Sequence, residues 1–270
     1  MKIVDNEPGD PKPSRLKLSA FIITLNEERR IRDCLESLSF CDEIVVVDSF
    51  STDNTRIIAE SYNAKVIKRE WTNFKDQKSF ALRQCQNNWV LLIDADERVS
   101  PDLRASIENI LQKRVVSNGE KDIVGYELHR VAYFLGRWWR GTGWRDEYVL
   151  RFFKRDKVVW SDATIHEKVL PNGVIKRLTG ELHHYSFDNI SDQIKKHIRY
   201  AKLAAEEYQG PSIGIIRLIW SPLVRFTKFY ILNRGILAGV AGFVVAINEA
   251  FYSFLKYAMV WEIQRSRPKE

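Results

Sequence analysis

The sequence predicts an α/β fold, a mostly parallel sheet covered by helices on both faces. Three observations carry it. Short, nearly continuous apolar runs rich in β-branched residues recur through the first hundred residues, as in LSAFIIT, EIVVVD and WVLLI. Stretches with helical apolar spacing separate them, and each run ends on a polar, carboxylate-bearing turn. Strands buried on both faces and alternating with helices are the pattern of a parallel sheet.

Taken in order, Leu18 to Thr24 reads as the first strand. Glu27 to Leu38 reads as a helix because Ile31, Leu35 and Leu38 fall at i, i+4 and i+7. Glu43 to Asp48 is the second strand; Ser51 or Asp53 can cap a helix running through Ser61. Lys65 to Lys68 is a shorter strand, Phe74 to Gln86 a helix, Trp89 to Ile93 a strand, and Ser100-Pro101 a strong helix start. After about Gly119 the pattern changes. Gly125 to Leu135, Val149 to Lys154, Val158 to Trp160 and Val174 to Leu178 are short β-like stretches with turns and aromatics between them, read as an added antiparallel layer. From Asp188 the chain reads as helical to its end. The expected organisation is a mobile tail over 1–16, an α/β domain over 17–187 and a helical region over 188–270.

Composition bounds the partners. Of 270 residues, 45% are hydrophobic and 29% charged, which is a folded, globular balance. The net charge of +7 calls for an anionic partner: nucleic acid, a phosphorylated substrate or an anionic membrane. Cys34, Cys41 and Cys85 are widely spaced and form no CxxC pair, so neither a disulfide framework nor a zinc site is indicated, and a reducing cytosol fits. The first fourteen residues lack the basic-then-apolar order of a signal peptide.

Ligands of open parallel sheets bind beyond the carboxyl ends of the strands. Three polar turns converge there: Thr24 to Glu27, Asp48 to Asp53, and Asp94 to Glu97. Asp94-Ala95-Asp96 is the sharpest signal. Two carboxylates two residues apart can place one on a ribose or base and the other on a divalent cation that also takes diphosphate oxygens. An isolated DxD triplet also serves as a turn or a helix cap. Asp48 ends an apolar strand, where a carboxylate is costly unless it accepts hydrogen bonds; a nucleobase N–H or the following turn can supply them.

SAFIITLNEE, EIVVVDSFSTDNT and NNWVLLIDADERVS, in this order, resemble the donor-binding strands of the family 2 inverting glycosyltransferases, which have a GT-A (Rossmann-like) fold. FKDQKSFAL, GWRDEYVLRFFKR, IHEKV, LHHYS and GFVVAINEAFYSFLKYAMVWE are similar to the branch of lipopolysaccharide core glucosyltransferases that add a β-linked sugar to inner-core heptose. The resemblance covers roughly Lys17 to Glu262. It implies an antiparallel acceptor layer, with Leu25, Asn26 and Glu27 near base and diphosphate, Asp48 on the base, and Asp94 and Asp96 on ribose and metal. Ser51 is included among the donor contacts, and Lys75 and Lys78 are candidate phosphate or acceptor contacts.

Inversion needs a carboxylate that takes the acceptor hydroxyl's proton. Where relatives usually show Trp-x-Pro-Asp, this chain has Trp144-Arg145-Asp146-Glu147, so Glu147 falls on the acid position and Asp146 replaces the proline. Glu147 is the first candidate base and Asp146 the second; either can be a solvated loop acid. The resemblance puts His166 and Glu167 on the acceptor side, with Arg151 a further contact. His184 can reach the metal or diphosphate, with one of His183 and His184 expected to be structural.

The implied activity is transfer of a hexose, glucose from a UDP donor foremost, to a lipid-linked or lipopolysaccharide-core acceptor, with Mg2+ or Mn2+. The same fold acting on a peptide or protein is one alternative. A basic nucleic-acid-binding module, suggested by charge and by Trp138-Trp139-Arg140, is another, opposed by the placement of the DxD turn; no nucleic-acid partner is expected. Between Ile213 and Tyr230, Arg217, Ser221, Arg225 and Lys228 form one polar stripe opposite an apolar face, which suits a membrane surface or packing on the catalytic domain. Gly235 to Ile247 is apolar but shorter than the roughly 20 residues of a spanning helix, and Asn248, Glu249, Ser253 and Lys256 interrupt it. The expectation is peripheral attachment to the inner face of the cytoplasmic membrane.

Overall fold

The computed structural model describes residues 15–112, 123–161 and 169–266. The expected tail therefore lies almost wholly outside the described residues, as do His166 and Glu167. Strand β1 (Leu18–Thr24) is followed by α1 (Ile31–Ser37), β2 (Glu43–Asp48), α2 (Thr55–Ser61), β3 (Lys65–Lys68), α3 (Phe74–Gln84) and β4 (Trp89–Leu92). Next come β5 (Glu97–Val99), α4 (Pro101–Gln112), β6 (Ile123–Phe134), β7 (Arg137–Trp138) and β8 (Asp146–Lys154). Strands β9 (Val158–Trp160), β10 (Val169–Pro171) and β11 (Val174–His184) precede three helices, α5 (Ile190–Glu206), α6 (Ile215–Thr227) and α7 (Gly239–Ser266).

Nine strands of the described residues form one sheet in the order β3-β2-β1-β4-β8-β6-β11-β5, with β7 paired to β6. β3, β2, β1 and β4 run parallel. The later strands are added to the edge of this parallel set, β8 joining antiparallel to both β4 and β6. β6 and β11 are parallel, and β5 closes the edge antiparallel to β11.

Strand periodicity divides the core between the two faces. Leu18, Ala20, Ile22, Val46 and Leu91 point into a cluster with Ile31, Leu35, Leu103 and Ile107 of α1 and α4. Their neighbours Phe21, Val45, Val47, Val90 and Leu92 point to the other side, against Ala81 and Leu82 of α3. Successive side chains of a strand face opposite ways, so both faces being apolar requires both to be covered.

Several helix ends depart from the periodic reading because side chains compete for the backbone donors. The first helix begins at Ile31, four residues after Glu27, because Thr55 and Asp53 side chains accept from the Glu27 and Glu28 N–H groups at 2.8 and 3.2 Å. Helix α2 starts at Thr55, since Ser51 is spent accepting from Asn26 N–H at 2.9 Å. Helix α3 stops at Gln84, and the N–H groups of Gln86 and Asn87 turn to the Glu43 and Ser19 side chains. In β11, Gly180 sits at φ +93, where a Cβ would lie 2.2 Å from Leu103 N; only glycine lets the strand bulge over the start of α4.

The C-terminal helices pack on the sheet domain through Trp139, Trp144, Phe187, Phe229, Val245 and Ala246. Helix α7 runs straight through Asn248, Glu249, Ser253 and Lys256, and with the turn before it, Gly235–Ser266, is long and apolar enough to cross a membrane by length and composition. The polar residues interrupt its apolar run without breaking the helix, and Asn248, Glu249 and Ser253 each have a polar partner on a neighbouring helix.

Candidate active site

The turns after β1 and β2 are stitched into one corner. Asn26, at φ 55, donates its N–H to Ser51 Oγ at 2.9 Å and accepts from Thr52 N–H at 2.9 Å. Asp48 is fully buried; Ser51 N–H donates to it at 2.9 Å, the Ser51 hydroxyl at 2.5 Å and the Thr24 hydroxyl at 3.2 Å, with Arg56 at 3.8 Å. The Asp48 carboxylate is thus engaged by its own loop. Leu25 and Phe50 flank this corner with exposed apolar side chains.

The second feature is the DxD turn, which crosses from β4 to β5. Ile93 N–H donates to Phe21 carbonyl at 3.2 Å and Glu97 N–H to the Asp94 carbonyl at 2.9 Å, so the turn is tight. Its two acids then meet different surroundings. Asp94 is bonded by Arg151 and lies 3.6 Å from Lys78. Burial pushes its pKa up, but Arg151, Lys78 and Arg130 together hold the carboxyl well below its ordinary range. Asp96 faces His184 Nε2 at 3.4 Å, and its carbonyl accepts from Tyr185 N–H at 2.8 Å, docking the end of β11 onto the turn. Burial raises its pKa too, yet His184 brings it below the usual value. Glu27, from the first corner, has a raised pKa through burial and then through the Asp96 charge, which ties the two features electrostatically.

Glu97 and Arg130, which the sequence reading did not single out, join this turn to the candidate base. Glu97 is fully buried and accepts from Asp94 N–H at 2.9 Å, Arg151 at 2.9 Å and Arg130 at 3.2 Å. Arg130 in turn bonds Glu147. The result is a chain of alternating charges, Lys78–Asp94–Arg151–Glu97–Arg130–Glu147, running from α3 to β8. The legible signal was a Glu directly after the DxD triplet; its partner Arg130 lies mid-strand, and only the pairing of β6 with β8 brings it to Glu147.

The two candidate bases differ. Asp146 accepts from Gly141 N–H and pairs with His129 at 2.5 Å, so it fixes the loop between β7 and β8. Glu147 is half-exposed. Burial raises its pKa, but Arg130 outweighs this and keeps it below the ordinary value, hence charged at neutral pH. Both acids line a cleft of about 350 Å3 together with Arg145, Lys228, Phe229 and Asn233.

The remaining expected residues fall as follows. Arg151 is buried and committed to Asp94 and Glu97, beneath the turn. Lys75 lies in the first turn of α3, three residues before Lys78. Ser186 Oγ is 3.0 Å from His184 Nε2, while His183 stacks on Trp138 at 4.2 Å and pairs with Glu181, away from the DxD acids. Trp139 is fully buried and Arg140 bonds Glu181. Among the described residues no group of three or more His, Cys, Asp or Glu side chains is arranged to hold a metal. Asp96 and His184 nonetheless fit a divalent ion bound, as Mg2+ commonly is, by one or two protein groups with phosphate oxygens and water completing the shell.

Residues 19–178 match the profile of Glycosyl transferase family 2. The chain is 34% identical over 257 residues to the lipopolysaccharide core biosynthesis glycosyltransferase LpsC of Rhizobium meliloti, covering 92% of this chain and 93% of that protein. It is 33% identical to an uncharacterized glycosyltransferase of Rickettsia typhi, covering 92% and 87%. Among solved structures it is similar to glucosyl-3-phosphoglycerate synthase from Mycobacterium tuberculosis, at 23% identity and a TM-score of 0.35, over 47% of this chain and 50% of that one.

Proposed function

Because the chain belongs to glycosyl transferase family 2 and is a glycosyltransferase, we propose that it transfers a hexose from a nucleotide donor, UDP-glucose being the first to test, to a lipid-linked or lipopolysaccharide-core acceptor at the cytoplasmic face of the membrane. The observation that carries this reading is the split of the DxD acids: Asp94 is held by Arg151 and Lys78, while Asp96 is opposed to His184. The likeness to the Rhizobium meliloti protein supports the acceptor class.

In this reading Leu25, Asn26, Glu27 and Ser51 form the donor corner, and Asp48 keeps it in shape through Ser51 and Thr24. Asp96 and His184 hold Mg2+ or Mn2+, which when bound neutralises charge on the diphosphate leaving group. Asp94, fixed by Arg151 and Lys78, receives the ribose. Glu147 takes the proton of the acceptor hydroxyl as that oxygen bonds to the anomeric carbon. The bond from that carbon to the diphosphate breaks on the opposite side, so configuration inverts and nucleoside diphosphate leaves. Arg130 orients the Glu147 carboxylate, and the acceptor enters through the cleft it shares with Lys228 and Asn233. Arg151, once expected beside the acceptor, acts here only through Asp94 and Glu97.

The test is a panel of nucleotide sugars incubated with the purified full chain, with and without Mg2+ or Mn2+, followed by release of nucleoside diphosphate. Slow metal-stimulated hydrolysis of one donor is the expected outcome. Salt-sensitive retention on DNA with no hydrolysis of any donor would instead indicate a nucleic-acid-binding module.

A further inference from the structure

Helices α6 and α7 form an inside-out hairpin. Arg217, Ser221 and Arg225 of α6 each reach across to α7, although both arginines stay partly open to solvent. Arg217 donates to Tyr257 at 2.8 Å, Ser221 meets Ser253 at 2.5 Å, and Arg225 pairs with Glu249 at 2.6 Å. These three pairs form a polar seam between the helices. Asn248 likewise donates to Gln193 of α5 at 2.6 Å, and Trp144 Nε1–H donates to Glu249 at 3.0 Å.

The apolar side chains point the other way. On α7, Val240, Phe243, Ile247, Phe251 and Phe254 recur at helical spacing and are all exposed, while Asn248 and Glu249 are buried. On α6, Ile216, Ile219, Trp220 and Leu223 are exposed. Exposure peaks at the connection between the helices, where Leu232, Leu237 and Val240 are 72%, 76% and 83% exposed. Apolar patches of this extent on a monomer mark a surface that water does not cover. Polar groups paired between the helices, with Asn248 and Glu249 buried, beside broad exposed apolar faces is an arrangement that an acyl environment accommodates, because there the polar groups must satisfy one another.

We propose that the α6–α7 hairpin is embedded in one leaflet of a lipid bilayer, with the connection around Leu232, Leu237 and Val240 as its deepest part. Helix α7 does not cross. Its middle is anchored to the catalytic domain by Glu249 and Asn248, and its first half packs on Trp144 and Phe187, so a crossing would drag these groups into the acyl layer. Lys228 precedes the connection, and Arg234 lies within it, where its long side chain reaches up to anionic headgroups. Asn233, between Leu232 and Arg234, donates to the Gly143 carbonyl at 3.4 Å, which sets the cleft holding Glu147 against the lipid-facing connection. The inference rests on the membrane-side reading of the acceptor, and it deepens peripheral attachment to insertion of the hairpin into one leaflet.

The test is flotation of the full chain, purified in mild detergent, on phosphatidylcholine vesicles and on vesicles also containing phosphatidylglycerol, each washed with high salt. Flotation on both that survives the wash is expected. The double variant Leu232→Glu, Leu237→Glu should float about a hundredfold less, from the burial free energy of two leucines, with unchanged thermal unfolding and unchanged donor hydrolysis in detergent. Release of the wild type by salt would overturn insertion in favour of headgroup adsorption. A chain that stays in the supernatant as a dimer, dissociated by the double variant, would overturn it in favour of a second copy covering this face. Since donor hydrolysis is measured without vesicles, failure of the lipid inference and failure of the transferase reading give different results.

Discussion

Glu97→Gln isolates the brace beneath the DxD turn. Glu97 is fully buried and its two oxygens serve three donors: Arg151 at 2.9 Å, Arg130 at 3.2 Å and Asp94 N–H at 2.9 Å. Glutamine keeps the shape but has one acceptor oxygen, so its NH2 must face either the arginines or the Asp94 N–H, donor against donor. Removing one partner of a buried pair costs about 3–5 kcal/mol. Asp94 and Glu147 still neutralise the two arginines, which places this substitution near the lower end, about 3 kcal/mol. Against a typical total of about 5–15 kcal/mol the loss is large, and at about 2–4 °C per kcal/mol it lowers Tm by roughly 6–12 °C. The control is Glu127→Gln, whose partner Arg177 is mostly exposed; a surface pair contributes about 0–1 kcal/mol. Thermal unfolding by circular dichroism reads both. Equal shifts for Glu97→Gln and Glu127→Gln would show that the charge chain carries no stability and refute the reasoning.

Three further outcomes follow from the same geometry. Glu147→Gln should abolish transfer while leaving nucleotide affinity within about twofold, since the base meets the acceptor and not the donor; retained transfer in steady-state assays would move the role elsewhere. Asp146→Asn should instead lower stability by about 1–3 kcal/mol through its contacts with His129 and Gly141, and a variant that is folded to the wild-type midpoint but inactive would make Asp146 the base. Acid should unfold the chain through this site: Asp94, Asp96 and Glu147 have folded pKa values below their ordinary 3.8, 3.8 and 4.5, so the unfolded state binds more protons and the stability they contribute is lost as pH falls below about 4.5. Asp94→Asn should flatten that loss in acid titrations followed by denaturant midpoints; an unchanged slope would remove Asp94 from the account.

The strands of the donor half were legible as short runs of β-branched and apolar residues bounded by polar turns: β1, β2 and β3 fall where those runs put them, and β4 stops one residue before Ile93. Helix starts were less legible, since Thr55 and Asp53 take backbone donors that a helical pattern assigns to the next turn. The short β5 was hidden because Glu97 to Val99 carries no strand pattern of its own and is recruited by β11. In the site, acids at strand ends could be read from order along the chain, whereas Glu97 and Arg130 acquire their roles only through contacts across the sheet. The polar stripe of α6 was visible as a stripe, but its direction was not: periodicity fixes which residues share a face, and the partner helix decides where that face points.

The central claim, that the turn at Asp94 to Asp96 binds a nucleotide diphosphate together with a divalent ion, is tested most directly by isothermal titration of uridine, guanosine and thymidine diphosphates into the full chain. Wild type, Asp96→Asn and Glu147→Gln are compared, with Mn2+ and with EDTA. The account expects one nucleotide to bind with Mn2+, to weaken at least tenfold, about 1.4 kcal/mol, in EDTA and in Asp96→Asn, and to bind Glu147→Gln as it binds wild type. Equal affinity with and without the metal in wild type, or full affinity in Asp96→Asn, would contradict it.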